Sequence, residues 1–156
     1  MATTISRETS SPESTEAAGE ELGRRLRQGD LVLLTGELGA GKTQLVKGLA
    51  RGLGIMTRVH SPTFALLHEY TDGRLPLFHI DLYRLESPSQ IIGAGLEEYF
   101  YSPPGVTVIE WVERAAQWPM SNAGETSPKT RFRNVTLETL SETERRITYT
   151  DDNPGA

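Results

Sequence analysis

The 156-residue chain contains no cysteine, which excludes disulfide bonds and thiolate metal sites. It has no apolar run near the ~20 residues that a membrane-spanning helix needs, and residues 1–14 lack the apolar segment of a signal peptide. Positive charge is scarce, because 16 Lys and Arg residues face 21 Asp and Glu residues and the formal net charge is -5. This balance gives no broad basic surface for nucleic acid. We therefore expect a soluble, cytoplasmic protein without a membrane contact.

The most informative feature of the sequence is a glycine-rich motif at residues 36–43. An apolar run, residues 31–34, leads to Gly36, and Gly41, Lys42 and Thr43 then complete the spacing G-x-x-x-x-G-K-[ST] of a P-loop. A strand pattern precedes the motif and a helical pattern follows it, as a P-loop requires. Backbone N–H groups of such a loop and the positive end of the helix dipole bind phosphate oxygens. A glycine-rich turn that binds nothing is disfavoured, because both flanks and all four residues agree.

We therefore predict that ATP and Mg²⁺ bind at this loop. The lysine can reach the terminal phosphates and act in catalysis, and the threonine hydroxyl can ligate Mg²⁺. The guanine-specific signature Asn-Lys-x-Asp is absent from the sequence, which favours ATP over GTP. The residues expected to surround the phosphates are Glu37, Leu38, Gly39, Ala40, Gly41, Lys42, Thr43 and Gln44.

The remaining pattern predicts an α/β protein with a three-layer P-loop NTPase fold, a mixed central sheet and a C-terminal β-hairpin. Residues 11–150 would form this domain, with disordered tails at residues 1–10 and 151–156. The first helix begins with the cap sequence Ser11-Pro12-Glu13, and Gly29 is its expected C-cap. Predicted strands are Asp30–Thr35, Ala65–Tyr70, Leu75–Ile80, Val106–Ile109, Arg131–Leu140 and Arg146–Thr150, the last two as edge strands. Short helical segments are predicted from residue 87, at Leu96–Phe100 and at Trp111–Trp118.

Two carboxylates follow predicted core strands and can serve the phosphate loop. A P-loop needs a carboxylate at the end of a neighbouring strand to complete the Mg²⁺ shell. Glu110 follows the cleaner buried run, so we assign it to the metal shell, which leaves Asp81 to position or activate the attacking water. The alternatives are a turn cap or a pair with Arg84 for Asp81, and an ion pair with Arg114 for Glu110. Two acids beside one phosphate loop favour the functional interpretation.

A proline-stiffened loop, Ser61-Pro62-Thr63-Phe64, follows the predicted P-loop helix. Thr63 is a candidate catalytic switch residue, because a loop threonine can sense the γ-phosphate through Mg²⁺ or its water. On spacing alone, an ordinary loop threonine is an equal alternative. The histidines are too dispersed for a zinc site, and the two in strand patterns, His68 and His79, are expected to be packed or surface residues.

Four segments follow one another along the chain: Gly36-Glu37-Leu38-Gly39-Ala40-Gly41-Lys42-Thr43, Ser61-Pro62-Thr63-Phe64, His79-Ile80-Asp81-Leu82-Tyr83-Arg84-Leu85 and Ile109-Glu110-Trp111. Together they resemble the TsaE family, the small bacterial ATPases of tRNA threonylcarbamoyladenosine biosynthesis. The resemblance runs over residues 11–150. It implies an ATPase that works with the TsaB and TsaD proteins and meets tRNA only indirectly, through that complex. Its ATP turnover would support repeated cycles of the TsaB–TsaD assembly on the adenosine next to the anticodon.

The resemblance also implies roles for site residues. It assigns phosphate and Mg²⁺ binding to the P-loop lysine and threonine, the metal shell to Glu110, hydrolysis to Asp81 and the switch loop to Thr63. Three further residues come from the resemblance alone, because they match regions that border the nucleotide base: Thr15, Glu16 and Arg145.

The chain departs from the family pattern in three places. Gln44 stands where a small hydroxyl residue is common, residues 93–95 are glycine-rich, and residues 122–130 form an insertion. A small-molecule or nucleoside kinase is the alternative function, since the same loop serves phosphoryl transfer. Kinases carry an arginine-bearing lid, whereas Arg84 is the only arginine in the short segment after Asp81, which disfavours a kinase. A nucleotide-gated binding module without turnover is the other alternative.

Overall fold

The computed structural model describes residues 3–37, 40–59, 67–82, 97–99, 103–110 and 131–151. These residues form one seven-stranded sheet, two α-helices and a short 3-10 turn. The strands are β1 (Thr3–Thr9), β2 (Asp30–Gly36), β3 (Leu67–Tyr70), β4 (Leu77–Asp81), β5 (Val106–Glu110), β6 (Arg131–Thr139) and β7 (Arg145–Asp151). The helices are α1 (Pro12–Arg25) and α2 (Lys42–Gly52), and the turn is Glu97–Tyr99. Within this part of the chain, no helix has the length and apolar character needed to span a membrane.

The sheet is parallel in its centre and antiparallel towards both edges. Its strand order is β1-β7-β6-β2-β5-β4-β3, and β6, β2, β5 and β4 are parallel. Strands β7, β1 and β3 pair antiparallel with their neighbours. The predicted mixed sheet and C-terminal hairpin, β6–β7, are therefore confirmed. Because parallel strands end at the same edge of a sheet, the carboxyl ends of β2, β5 and β4 lie side by side.

The sequence prediction was wrong at both ends of the chain. Residues 3–9 of the predicted disordered tail form β1, which pairs with β7 from Thr3–Asp151 to Thr9–Arg145. Asp151, the predicted start of a disordered end, therefore lies in a strand, and β6 and β7 are not edge strands. The polar residues of β1 carry no clear strand pattern, and the strand is held by backbone pairing together with Ile5, which packs on the core.

Helix α1 starts where the sequence predicts and ends earlier. Ser11 is its N-cap, and the Ser11 and Ser14 hydroxyls each accept the other residue's backbone N–H, at 3.1 and 3.0 Å. The helix ends at Arg25 rather than near the predicted cap Gly29. Arg74 of the β3–β4 hairpin satisfies the last carbonyls instead, since its Nη2 donates to three of them at 2.8, 3.2 and 3.0 Å.

Helices α1 and α2 pack on each other through glycines. A Cβ added to Gly19 or Gly23 of α1 would lie 2.4 Å from a carbonyl oxygen of α2. Only glycine permits two backbones to approach so closely. The contact places the first turns of α1 beside the start of α2, where a Cβ on Gly41 would lie 4.0 Å from the Thr15 methyl carbon.

Both faces of the sheet are buried. One face packs with the helices into the main core, which includes Leu22, Val32, Leu34, Leu45, Leu49, Leu77, Val106 and Val108. Side chains that alternate with these are at most 5% exposed, namely Leu31, Leu33, Phe78, Ile80 and Ile109. On that second face, the Tyr99 ring packs on Phe78 with 4.9 Å between the ring centroids. The predicted helical segment that begins at residue 87 and the one at residues 111–118 lie outside the described residues. The described part of the predicted segment 96–100 is the turn Glu97–Tyr99.

Candidate nucleotide-binding site

The P-loop lies between β2 and α2, as the sequence predicts. Strand β2 ends at Gly36, and α2 begins at Lys42 with Gly41 as its N-cap at a φ of 100°. A φ of this size strains any residue that has a Cβ, which explains the glycine. No side chain of the described residues caps this helix end, so its N–H groups and its dipole are available to an anion. Leu38 and Gly39 lie outside the described residues.

The P-loop lysine is held within the loop. Lys42 is 6% exposed, and its Nζ donates to the carbonyl oxygen of Gly36 at 2.8 Å. Thr43 is half-buried in the first turn of α2, and Glu37 is exposed. The loop therefore has a positive charge fixed at the first glycine of the motif.

A cleft of about 560 Å³ opens beside the loop. Three segments that are distant in sequence line it: the start of α1, the loop itself and the turn between β6 and β7. Its volume falls within the range of small-ligand sites, about 300–1,000 Å³. The cleft-lining residues that the sequence predicts for nucleotide binding are Thr15, Ala40, Gly41, Gln44 and Arg145.

Arg145 joins the β6–β7 turn to the P-loop. Its Nε donates to the carbonyl oxygen of Ala40 at 3.0 Å. Its Nη1 donates to the carbonyl oxygens of Ser141 at 2.8 Å and Glu144 at 2.9 Å. The guanidinium group is therefore a fixed part of one wall of the cleft.

Thr15 and Glu16 are adjacent in α1 but face different surroundings. Thr15 is buried, and its hydroxyl forms a hydrogen bond of 2.8 Å with the hydroxyl of Thr9, so β1 supports this wall of the cleft. Glu16 forms an ion pair with Arg51 at 3.1 Å and lines a separate depression of about 250 Å³. Thr15 therefore lines the cleft, whereas Glu16 does not line it and contacts it through Gln44, whose Nε2 donates to Oε2 of Glu16 at 3.4 Å.

Asp81 and Glu110 lie at the edge of the sheet where the loop begins. They are register partners in the parallel pair β4–β5, and Leu34 of β2 is the partner of Glu110 on its other side. Residues two apart in a strand share a face, and Val106 and Val108 of β5 pack into the core with α2. Glu110 therefore faces the α2 side of the sheet, with Asp81 beside it.

The environments of the two acids differ. Glu110 is 4% exposed, whereas Asp81 is half-buried. The N–H of Leu82 donates to the backbone carbonyl oxygen of Glu110 at 3.2 Å, which ties the two strand ends together. Carboxylate oxygens and the Thr43 hydroxyl are ligands that Mg²⁺ prefers, so the residues at this edge fit that ion. The alternative ion-pair partners, Arg84 for Asp81 and Arg114 for Glu110, lie outside the described residues, and so does the switch candidate Thr63.

The sequence analysis did not predict one side-chain contact at this edge of the sheet. The Nε2 of His79 and the Oε2 of Glu110 form a short hydrogen bond, and His79 is completely buried. The expectation of a packed or surface histidine did not include a polar contact with the proposed metal-shell acid. The signal that could have found it is the spacing His79-Ile80-Asp81, which puts the histidine and the aspartate on one face of β4.

Comparisons with known proteins identify the family to which the sequence is similar. The sequence model of the family described as threonylcarbamoyl adenosine biosynthesis protein TsaE matches residues 9–147. The tRNA threonylcarbamoyladenosine biosynthesis protein TsaE of Nostoc sp. is 50% identical over 110 residues, which are 69% of this chain and 67% of that protein. The protein of the same name from Bacillus subtilis is 40% identical over 142 residues, 91% of this chain and 82% of that protein.

A solved structure has a similar fold. The crystal structure of Bacillus subtilis YdiB matches with a TM-score of 0.72 and 34% sequence identity, over 99% of this chain and 89% of that one. The predicted α/β P-loop fold is thereby confirmed. The chain belongs to the TsaE family of threonylcarbamoyl adenosine biosynthesis proteins.

Proposed function

We propose that this chain is a Mg²⁺-dependent ATP hydrolase that supports threonylcarbamoyladenosine modification of tRNA, next to the anticodon, together with TsaB and TsaD. The observation that carries the proposal is the cleft beside the P-loop, which opens between Gly41 and Arg145. Family membership supports the part that concerns tRNA modification. The tRNA meets this chain only through the complex, because the net charge of -5 offers no broad basic surface.

The phosphates of ATP bind at the P-loop. Backbone N–H groups of the first turn of α2 donate to the phosphate oxygens. The Lys42 ammonium exchanges the Gly36 carbonyl oxygen, 2.8 Å away, for the terminal phosphates. This exchange replaces a neutral acceptor with an anionic one, and hydrogen bonds between charged groups are stronger.

The acids at the sheet edge serve hydrolysis. Thr43 and Glu110 are the residues that would hold Mg²⁺, which would supply neutralisation of phosphate charge. Asp81 is half-buried beside Glu110 and orients the attacking water, whose proton it can accept. Thr63 remains the candidate that senses the γ-phosphate.

The adenine base occupies the cleft between Thr15 and Arg145. The guanidinium group is planar and is fixed by carbonyl oxygens of the loop and the turn, so it can stack on a base without a large entropy loss. Gln44 lines the same cleft and takes the position next to the P-loop threonine. The volume of about 560 Å³ suits a nucleoside.

Calorimetric titration of Mg²⁺–ATP into the wild-type chain, Lys42→Ala and Lys47→Ala tests the proposal. Lys47 is the matched control, because it lies on the same helix and lines the separate depression. Loss of Lys42 removes charge-assisted contacts of about 1.5–3 kcal/mol each, so we expect ATP affinity to fall at least about tenfold. Lys47→Ala should bind like the wild type. Unchanged ATP affinity in Lys42→Ala would refute nucleotide binding at this loop.

A further inference from the structure

His79 is buried against a residue of the proposed metal shell. It lies in the middle of β4, is 0% exposed, and makes its hydrogen bond through Nε2 to Oε2 of Glu110. The bond connects neighbouring parallel strands, since His79 pairs with Val108, two residues before Glu110. The Glu110 carboxylate is therefore oriented from the adjacent strand.

The contact accounts for a polar ring at this position. Among the described residues, the Nδ1 of His79 has no hydrogen-bond partner, although the ring is fully buried. Burying an unpaired polar atom costs free energy, so an apolar side chain would suit packing alone better. A proton on Nε2 makes the ring a donor to Glu110 and leaves Nδ1 as an acceptor only. The polar function of His79 in this part of the chain is thus directed at Glu110.

We propose that His79 is a positioning residue that holds the Glu110 carboxylate in the orientation needed for Mg²⁺. The inference rests on the proposed function, because it takes Glu110 as part of the metal shell. The bond engages one carboxylate oxygen, Oε2, and limits rotation of the group, so that Oε1 keeps one direction at the end of β5. Partners that orient metal-binding groups in this way commonly change metal affinity about 10- to 100-fold when they are replaced.

Two variants separate positioning from packing. His79→Leu keeps an apolar volume in the core and removes the donor, whereas His79→Gln restores a side-chain N–H that can reach Glu110. His68→Leu is the matched control, because His68 lies opposite His79 on β3 and its ring contacts the Tyr70 hydroxyl at 3.3 Å rather than Glu110. Thermal melting establishes that each variant is folded before binding is measured.

The measurement is the Mn²⁺ affinity of the full chain with a non-hydrolysable ATP analogue, followed by electron paramagnetic resonance. Affinity for the analogue in EDTA is measured in parallel by calorimetry. We expect His79→Leu to lower Mn²⁺ affinity about 10- to 100-fold, His79→Gln to recover most of it and His68→Leu to retain it. Affinity for the metal-free analogue should stay within about threefold in all variants, since the P-loop contacts are intact.

Four results would overturn the inference. Wild-type Mn²⁺ affinity in His79→Leu shows that the contact does not serve the metal. An equal loss in His68→Leu, or an equal loss of metal-free analogue binding, shows a general effect on the sheet instead. A wild-type chain that binds the analogue equally with and without Mn²⁺ refutes the proposed function itself, and the role of His79 fails with it.

Discussion

Gly48 of α2 lies against the backbone of Glu16 of α1, so closely that an added Cβ would be 2.0 Å from the Glu16 carbonyl oxygen. Gly52 stands in the same relationship to the Glu20 carbonyl oxygen, at 2.3 Å. The two helices therefore touch backbone to backbone along this stripe. The contact also sets the geometry of the cleft, because it holds the turn of α1 that carries Thr15 beside the P-loop.

We predict that Gly48→Ala destabilises the protein. Helix propensity alone would favour alanine over glycine by about 1 kcal/mol. Overpacking against a backbone oxygen costs about 1–3 kcal/mol or more, and that oxygen cannot move without shifting α1. Urea unfolding should therefore show a net loss of stability, whereas Ala17→Ser on the exposed side of α1 should change it by less than about 0.5 kcal/mol. A more stable Gly48→Ala variant would contradict the close helix contact.

The sequence predicts the elements that carry strong local signals. The apolar run of β2 stops at a glycine, α1 opens with a serine cap and a proline, and β5 begins with four β-branched residues. Each element therefore lies within about two residues of its predicted start. The P-loop motif and the two strand-end acids also have local patterns. These features can be predicted from the sequence because residues close to one another in the chain determine them.

Features that depend on distant pairing were not predicted. Strand β1 forms because it pairs with β7 at the other end of the chain, where Thr3 is the partner of Asp151. The polar residues of β1 give no sequence pattern that predicts this pairing. The spacing to Asp81 indicates the face of β4 on which His79 lies, but its hydrogen bond with Glu110 also depends on the register of β4 against β5, which no local pattern specifies. The close approach of α1 and α2 through glycines, which places Thr15 beside the P-loop, was also not predicted.

Asp72 gives a pH-dependent contribution to stability. Its Oδ2 accepts the backbone N–H groups of Met56 at 2.9 Å and Thr57 at 3.0 Å. These hydrogen bonds, that of Met56 foremost, lower the pKa of Asp72 below its ordinary 3.8. Because the folded pKa is the lower one, the stabilisation is complete above about pH 4 and is lost as the pH falls through the folded pKa.

Asp72→Asn tests this contribution. We expect the variant to be less stable than the wild type near neutral pH, and the difference to shrink as the pH falls below about 4, since the wild-type carboxyl then becomes neutral. Urea unfolding of both proteins at pH 7, 5 and 3 measures the trend. A difference that stays constant across this range would show that the charge of Asp72 contributes nothing.

Asp81 and Glu110 should have separable roles. Asp81→Ala is expected to abolish ATP hydrolysis while the folded protein still binds nucleotide, because the role we propose for Asp81 is to act on the attacking water. Glu110→Ala is expected to raise the Mg²⁺ concentration needed for turnover, because we propose Glu110 as a residue of the metal shell. Turnover across a Mg²⁺ titration, with ATP affinity measured by calorimetry, distinguishes the two. If both variants only melt earlier while turnover per folded molecule is normal, the acids are structural.

The rate of ATP turnover should depend on the TsaB–TsaD partners. Arg145, the arginine that lines the cleft, is held by carbonyl oxygens of the loop and the β6–β7 turn. Reaching a γ-phosphate would require it to give up these contacts. A transition-state arginine supplied in trans is worth about 10³–10⁵ in rate, so we expect slow turnover alone and faster turnover with TsaB–TsaD.

Association with TsaB–TsaD should also depend on the bound nucleotide. In the proposed function Lys42 contacts the γ-phosphate and Thr63 senses it, so a loop that changes order with the γ-phosphate would alter a transient interface of about 1,000–2,000 Å². Sedimentation of the purified chain with TsaB–TsaD, using an ATP analogue, ADP or no nucleotide, measures this dependence. We expect the strongest association with the ATP analogue, and Lys42→Ala should lose the difference between the three states. Equal association of the wild type in all three states would remove the switch and leave a nucleotide-binding fold whose hydrolysis is not coupled to assembly.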